Sequence, residues 1–157
     1  MVVKHRLADL TYRWYDRMRV DSAFAAAAQD GTAPDFSGFE GNQYAVLVTF
    51  HKDGTPVPTP VWFALLGDRR LVIGTDLRTA KVRRIRRDPR ARAFPSDPRG
   101  KPLGPAVEGT ARILDAVNER QEAEEALDRK YGRTRRIYEL VFTRSEDMIH
   151  LEVVPAT

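Results

Sequence analysis

Cysteine is absent from the 157 residues of this chain. Disulfides, thiolate metal ligands and cysteine nucleophiles are therefore excluded, and a chain without cysteine is typical of a cytoplasmic protein. Long apolar runs are also absent, since none approaches the ~20 residues that a membrane-spanning helix needs. The first 30 residues carry too much charge for a secretory signal. We therefore expect a cytoplasmic protein without membrane association.

Common catalytic motifs are missing as well. No Gly-x-Gly-x-x-Gly follows a strand, and the sequence has no Walker A motif, no Gly-x-Ser-x-Gly elbow and no His-Glu-x-x-His. The three histidines, His5, His51 and His150, do not have a spacing that makes them converge, which favours structural or surface roles. We expect no metal site and no catalytic side chain, so a bound cofactor would carry the chemistry of any reaction.

Hydrophobic periodicity divides the chain into helical and strand-rich regions. Apolar residues at spacings of three and four predict a helix over residues 3–28, and the glycines and prolines of residues 29–41 indicate a linker. Further helices are predicted over residues 79–87, 118–131 and 135–142. Strands are predicted over residues 44–51, 57–66, 70–75, 90–95, 105–114 and 148–154.

This order of elements predicts a mainly β fold, a small antiparallel barrel decorated with helices. The barrel would occupy residues 42–157, with a helical insert before the last strand, and residues 1–41 would form an N-terminal helical extension and linker. The extension could pack across a dimer, cover a cofactor or lie on a membrane surface. Packing on a dimer is the simplest of these alternatives.

Positive charge is concentrated in one short stretch. The net charge is +4, but residues 78–92 hold eight Lys or Arg against one acid, Asp88. Such a concentration indicates an anionic partner or a solvated helix face. Nucleic acid is a weak candidate, because Trp62 and Phe94 are the only nearby side chains able to stack on bases, and we expect no nucleic-acid binding.

Lys81 is the first candidate ligand within this stretch. An anion at the start of the predicted helix would meet backbone N–H groups, the positive end of the helix dipole and the Lys81 ammonium. The hydroxyls of Thr75 and Thr79 would complete the cradle, and Arg84 lies one turn further along the same face. The alternative is a solvated helix lysine, which the charge pattern alone does not exclude.

The strand residues Thr59, Pro60, Val61 and Trp62 form the second candidate element. Two prolines, Pro58 and Pro60, remove donors from the ladder, so neighbouring backbone atoms are left to meet the heterocycle of a ligand. The alternative is an edge strand with a core tryptophan.

Four segments in this order resemble the pyridoxamine-phosphate-oxidase-like split β-barrel superfamily. They are Tyr44-Ala-Val-Leu-Val-Thr-Phe-His-Lys-Asp-Gly-Thr-Pro, Thr59-Pro-Val-Trp-Phe, Thr79-Ala-Lys-Val-Arg-Arg-Ile-Arg-Arg-Asp-Pro-Arg and Val107-Glu-Gly-Thr-Ala-Arg. The similarity covers about residues 42–114. Within the superfamily, the chain is most similar to the actinobacterial branch of PPOX-class coenzyme F420-dependent oxidoreductases.

This resemblance implies a six-stranded antiparallel FMN-binding split barrel that forms a homodimer, with cofactor sites at the subunit interface. It implies a cofactor phosphate at Lys81 and a flavin or deazaflavin ring along the strand of Thr59. Coenzyme F420 is preferred to FMN, because its oligoglutamate tail would use the surplus arginines. The candidate cofactor-binding residues are Thr59, Pro60, Val61, Trp62, Gly74, Thr75, Arg78, Thr79, Ala80, Lys81 and Arg84.

The implied activity is hydride transfer between the deazaflavin ring and a conjugated small-molecule substrate. That step requires no side-chain acid or base, in agreement with the scarcity of such groups here. Two alternatives stay open: a non-catalytic carrier or sensor that holds deazaflavin, flavin or haem on the same scaffold, and an FMN-dependent oxidoreductase.

Overall fold

A computed structural model describes residues 21–132, 134 and 145–157 of the chain. The predicted helix over residues 3–28 is described only in its last part, and the predicted helix over residues 135–142 lies outside the described residues. The described helices are α1 (Asp21–Ala27), α2 (Ala80–Arg87) and α3 (Val117–Tyr131). The strands are β1 (Tyr44–Phe50), β2 (Pro56–Val61), β3 (Ala64–Leu65), β4 (Leu71–Asp76), β5 (Arg90–Ser96), β6 (Val107–Ile113) and β7 (Met148–Pro155).

All seven strands belong to one sheet, in the order β2-β1-β5-β6-β7-β4-β3. Every neighbouring pair is antiparallel. The two edge strands, β2 and β3, do not pair with each other within the described residues, so the sheet is not closed there. The mainly β fold with helices is consistent with the predicted split barrel, but the predicted number of six strands is not confirmed.

The additional strand arises because the predicted strand over residues 57–66 divides at Trp62 and Phe63. The hydroxyl of Tyr131 accepts a hydrogen bond from the Phe63 N–H at 2.9 Å. The same hydroxyl lies 2.9 Å from the Phe63 carbonyl oxygen and 2.7 Å from that of Gln43, and it can donate its one proton to either. Since the backbone polar groups of Phe63 are bound to a side chain, they cannot join a ladder, and β2 ends at Val61.

The main core lies between the inner face of the sheet and α2. The three phenylalanines at its centre pack edge to face: the ring centroids of Phe36 and Phe39 are 5.3 Å apart, and those of Phe39 and Phe63 are 5.7 Å apart. Ile85 of α2 joins this cluster, as does Leu47 of β1. A separate cluster lies under α3, and a third joins α1 to the outer face of β1.

The segment predicted as a linker contributes directly to this core. Phe36 and Phe39 are almost fully buried, and the Phe36 N–H donates to the Asp68 carbonyl at 2.7 Å. Further along the sheet, the backbone N–H groups of Thr32 and Ala33 both donate to the carbonyl of Ala106 at 2.9 Å. Residues 29–41 therefore run as a strap across the sheet, and the predicted domain boundary at residue 42 stays a prediction.

Helix α3 is held on the sheet by ionic contacts around Glu152 of β7. This carboxylate is 3% exposed, and it accepts hydrogen bonds from the Nε atoms of Arg70 (2.6 Å) and Arg112 (3.1 Å). The same two guanidinium groups reach α3, where Arg70 contacts Glu122 at 3.2 Å and Arg112 contacts Glu119 at 2.7 Å. A buried carboxylate paired on both sides fixes the orientation of α3 more than it adds stability.

We expect Tyr131→Phe to lower the free energy of unfolding by about 1–3 kcal/mol, because the Phe63 N–H then loses its acceptor. The change is measured by denaturant unfolding. Tyr44→Phe is the matched control, since no hydrogen bond described in residues 21–132, 134 and 145–157 involves the Tyr44 hydroxyl. Equal stability of the two variants would contradict the role given to Tyr131.

Candidate functional site

Asp76 closes the junction between β4 and α2. Its carboxylate accepts a hydrogen bond from the Arg78 N–H at 2.7 Å and contacts the Arg78 guanidinium, also at 2.7 Å. Thr79 donates to the Asp76 carbonyl from its N–H (3.2 Å) and from its hydroxyl (3.0 Å). Because α2 begins at the next residue, Ala80, these contacts fix where the helix starts.

The charge of Asp76 is set by the groups around it. Burial raises the pKa of this carboxyl, but the hydrogen bonds and charge of Arg78 outweigh burial, and Lys81 acts in the same direction. The pKa therefore lies below its ordinary value, and Asp76 is ionised at neutral pH. Arg78 also lies 3.6 Å from the carboxylate of Asp147, so this predicted cofactor ligand is already engaged within the chain.

Lys81 is buried on the inward face of α2. It is 7% exposed and lies in the first turn of the helix, with Val82 and Ile85 as its buried neighbours on the same helix. The alternative of a solvated helix lysine therefore does not hold. Six further predicted residues lie in or beside this junction: Gly74, Thr75, Arg78, Thr79, Ala80 and Arg84.

Arg84 joins α2 to the middle of the sheet. Its Nε atom donates a hydrogen bond to the Thr49 hydroxyl at 2.6 Å. Thr49 is fully buried in β1 and is the one threonine within an otherwise apolar and aromatic strand. The sequence analysis missed Thr49, although a lone hydroxyl in a strand of this kind is a signal that a polar partner lies opposite.

The register of β1 and β2 separates the residues predicted on β2. Leu47 pairs with Thr59, and Thr49 pairs with Val57. Because directly opposite residues share a face, the side chains of Thr59 and Val61 lie on the α2 side of the sheet. Pro60 lies on the opposite face, so the structure does not bring its side chain together with Lys81.

The prolines of β2 also determine which backbone hydrogen-bonding groups its outer edge presents. Pro56, Pro58 and Pro60 occupy alternate positions of an edge strand, so their nitrogen atoms all lie on the side away from β1. That edge presents carbonyl oxygens but no N–H groups at these positions. The prediction of an edge strand is confirmed, and a heterocycle along this edge would have to donate hydrogen bonds to it.

Trp62 leaves the strand and stacks on Tyr131, with ring centroids 4.9 Å apart and an angle of 14° between the rings. The half-buried indole therefore packs on the end of α3, so the alternative of a core tryptophan within the strand does not hold, and Trp62 as a cofactor ligand stays a prediction. The sequence analysis placed Tyr131 only at the end of the helix predicted over residues 118–131. The sequence held no signal for its partner, because the contact spans 69 positions along the chain.

Lys130 lies beside this pair and was not predicted as a functional residue. Its Nζ atom is 3.3 Å from the centroid of the Phe63 ring and 5.3 Å from that of Tyr131. Burial lowers the pKa of Lys130 to about 8. Phe63 is fully buried, so the ammonium sits on the edge of the main core.

The basic stretch of residues 78–92 divides into paired and exposed members. Arg90 pairs with Asp88 at 2.7 Å, and Arg92 is buried against Glu108 and donates to the Ala27 carbonyl at 2.5 Å. Arg83 and Arg86 are exposed on the outer face of α2. Among the described residues, neither of these two forms an ion pair.

The described residues offer no metal centre, since no three His, Cys, Asp or Glu side chains are grouped to hold an ion. His51 is exposed in the turn after β1, and His150 is buried with its Nε2 atom 2.6 Å from a carboxylate oxygen of Glu124. His5 lies outside the described residues. Within those residues, no helix is both long and apolar enough to cross a membrane.

A family model described as pyridoxamine 5'-phosphate oxidase matches residues 35–153, well over half of the chain. No curated protein matches the chain.

Several solved structures share the fold. A conserved hypothetical protein of Mycobacterium tuberculosis has a TM-score of 0.59 at 17% identity, with 82% of this chain and 87% of that one covered. An F420 reductase has a TM-score of 0.52 at 23% identity, with 80% and 96% covered. The heme storage protein of Vibrio cholerae has a TM-score of 0.55 at 12% identity, with 75% and 84% covered. At these identities the likeness concerns the fold.

We expect Lys130 to titrate near pH 8, below its ordinary pKa of 10.5. Isotope-edited NMR of dimethylated lysines measures this, and Lys130→Arg identifies the resonance. Because the unfolded chain holds this proton up to about its ordinary pKa, the contribution of Lys130 to stability rises with pH from about 8 to 10.5. A midpoint at or above the ordinary value would contradict this description.

Proposed function

Since the chain belongs to the pyridoxamine 5'-phosphate oxidase family, we propose that it is a coenzyme F420-dependent oxidoreductase. The observation that carries the proposal is the buried ammonium of Lys81 at the start of α2. On the same side of the sheet lie Arg84 and the face of β2 that carries Thr59. This arrangement suits a long ligand with an anionic group at one end and a planar ring further along.

The residues at the start of α2 fit a phosphate group. Lys81 brings a cation that burial protects from water, and the first turn of the helix adds N–H groups and the positive end of the helix dipole. Arg78 holds Asp76 ionised but also neutralises it, so the carboxylate repels an arriving anion less strongly. These residues would hold the phosphate of F420 or of FMN equally well.

The exposed arginines favour F420 over FMN. Arg83 and Arg86 lie on the outer face of the helix that carries Lys81, and neither is neutralised by a described carboxylate. An oligoglutamate tail that leaves the phosphate would pass along this face and meet both cations. FMN ends at its phosphate, so it would leave them unused.

The chemistry of hydride transfer would come from the deazaflavin ring when it is bound. The chain would bind and orient that ring along β2, where Thr59 and Val61 lie on the face directed at α2. The carbonyl edge of β2 would accept hydrogen bonds from ring N–H groups. The buried surroundings of Leu47 and Thr49 would exclude water from the reacting face.

We also propose that the protein is a cytoplasmic homodimer with cofactor sites at the subunit interface, and that it acts on a conjugated small molecule. These properties rest on the family resemblance. Light scattering coupled to size-exclusion chromatography tests the assembly, and a monomer with full cofactor affinity would contradict the shared site.

A carrier or sensor is the second candidate, because the solved structures that share the fold include a heme storage protein. Stopped-flow oxidation of the reduced cofactor by a panel of enones and quinones separates the two functions. Turnover with any acceptor supports the enzyme. Tight binding without turnover supports the carrier.

We expect Lys81→Ala to weaken cofactor binding at least tenfold, since a charge-assisted hydrogen bond contributes about 1.5 kcal/mol or more. Fluorescence titration with F420 and with FMN measures the change. Lys81→Met keeps the apolar stem and should give the same loss, whereas Lys101→Met, at an exposed loop position, should give none. Unchanged affinity in both Lys81 variants would exclude the phosphate site.

We expect the double variant Arg83→Gln/Arg86→Gln to weaken binding of F420 by about three- to tenfold and of FMN by less than twofold. The reason is that exposed ion pairs contribute about 0.2–1 kcal/mol each and act here on the tail alone. The loss should shrink as salt is added, because exposed charges are screened. Equal losses for the two cofactors would argue against a tail on this face.

A further inference from the structure

The ammonium of Lys130 is partly desolvated, and the described part of the chain places no hydrogen-bond acceptor beside it. No hydrogen bond or ion pair of Lys130 occurs among the described residues, and its close contacts are the ring faces of Phe63 and Tyr131. Burial alone shifts its pKa, with no contribution from a neighbouring carboxylate. A partly buried cation of this kind can donate charge-assisted hydrogen bonds to an anion that binds beside it.

The last turn of α3 fixes the position of this ammonium. The same turn divides the predicted strand at Trp62 and Phe63. Tyr131 binds the backbone of Phe63 through its hydroxyl, and Lys130, one residue earlier, lies over the ring of Phe63. Trp62, the other residue of the break, stacks on Tyr131. Lys130, Trp62 and Tyr131 are all half-buried, so each of the three residues keeps part of its surface exposed to solvent.

This group lies at the opposite end of β2 from the proposed phosphate site. Along β1, Thr49 marks the Arg84 end and Gln43 marks the Tyr131 end. Six residues of extended chain span about 20 Å. Between these two ends, Thr59 and Val61 pair with Leu47 and Ala45. A substrate that meets the ring beyond Val61 would therefore approach Trp62 and Lys130.

We propose that Lys130, with Trp62 and Tyr131, forms a subsite that binds the carboxylate of a planar, conjugated substrate. The subsite would select the substrate class of the proposed oxidoreductase, and this proposal rests on that proposed function. Lys130 would donate charge-assisted hydrogen bonds to the carboxylate, while the neighbouring aromatic rings would contact the planar part.

Cinnamate and its neutral isostere cinnamamide test the subsite, since they differ in the carboxylate. Both are titrated into the full chain, with and without bound cofactor, and the Lys130 resonance is followed by NMR. We expect cinnamate to bind at least tenfold more tightly than cinnamamide. Lys130→Met should remove this preference, Lys130→Arg should keep most of it, and Lys52→Met, at an exposed position, should leave it unchanged.

Thermal stability gives a readout that does not depend on the probe. If the role of Lys130 is to bind a ligand, its partly buried charge costs stability in the unliganded protein. Lys130→Met removes that charge and keeps the apolar stem, so the melting temperature should rise. If the ammonium only supports Phe63 through a cation–π contact, the melting temperature should fall.

Three results would overturn the subsite: a preference for cinnamate that survives in Lys130→Met, no response of the Lys130 resonance to cinnamate in either state of the protein, or a lower melting temperature of Lys130→Met. Cofactor affinity of Lys130→Met should stay within twofold of that of the wild type. A wild type that binds neither F420 nor FMN would instead reject the proposed function, whatever the cinnamate titration shows.

Discussion

The hydrogen bond between the Tyr131 hydroxyl and the Phe63 backbone is the contact on which the rest of the described structure depends. It ends β2, divides the sheet edge into two strands and anchors the last turn of α3. Through the same turn, Trp62 finds its stacking partner and Lys130 is placed over the core. One phenol therefore sets the strand number and the surroundings of the proposed substrate end of the site.

Two kinds of positive charge coexist on α2, and their surroundings give them different roles. Lys81 and Arg84 point toward the sheet, where a cation interacts strongly with its neighbours because water is excluded. Arg83 and Arg86 face solvent, where the interaction with any one anion is weak and screened. A ligand with one compact anionic group and a long polyanionic tail would use both, and this is the reason why F420 is proposed here in preference to FMN.

The sequence was sufficient to locate most of the described elements. Hydrophobic periodicity placed α2, α3 and five strands to within a few residues, because each buries one face and so shows a period. It could not show the break at Phe63, since residues 57–66 keep a strand-like composition and the cause of the break lies on a distant helix. Thr49, Lys130 and Tyr131 were missed as site residues for the same reason. Their significance comes from partners that only the folded chain brings close.

The two sheet edges are protected against the pairing of one molecule with another. β2 has proline at every second position, with the proline nitrogens on its outer side, and β3 is only two residues long. An incoming strand would find no donors on the first edge and too short a ladder on the second, so neither can template a growing stack of strands. The same prolines that are proposed to border a heterocycle thus also oppose aggregation of the protein through that edge.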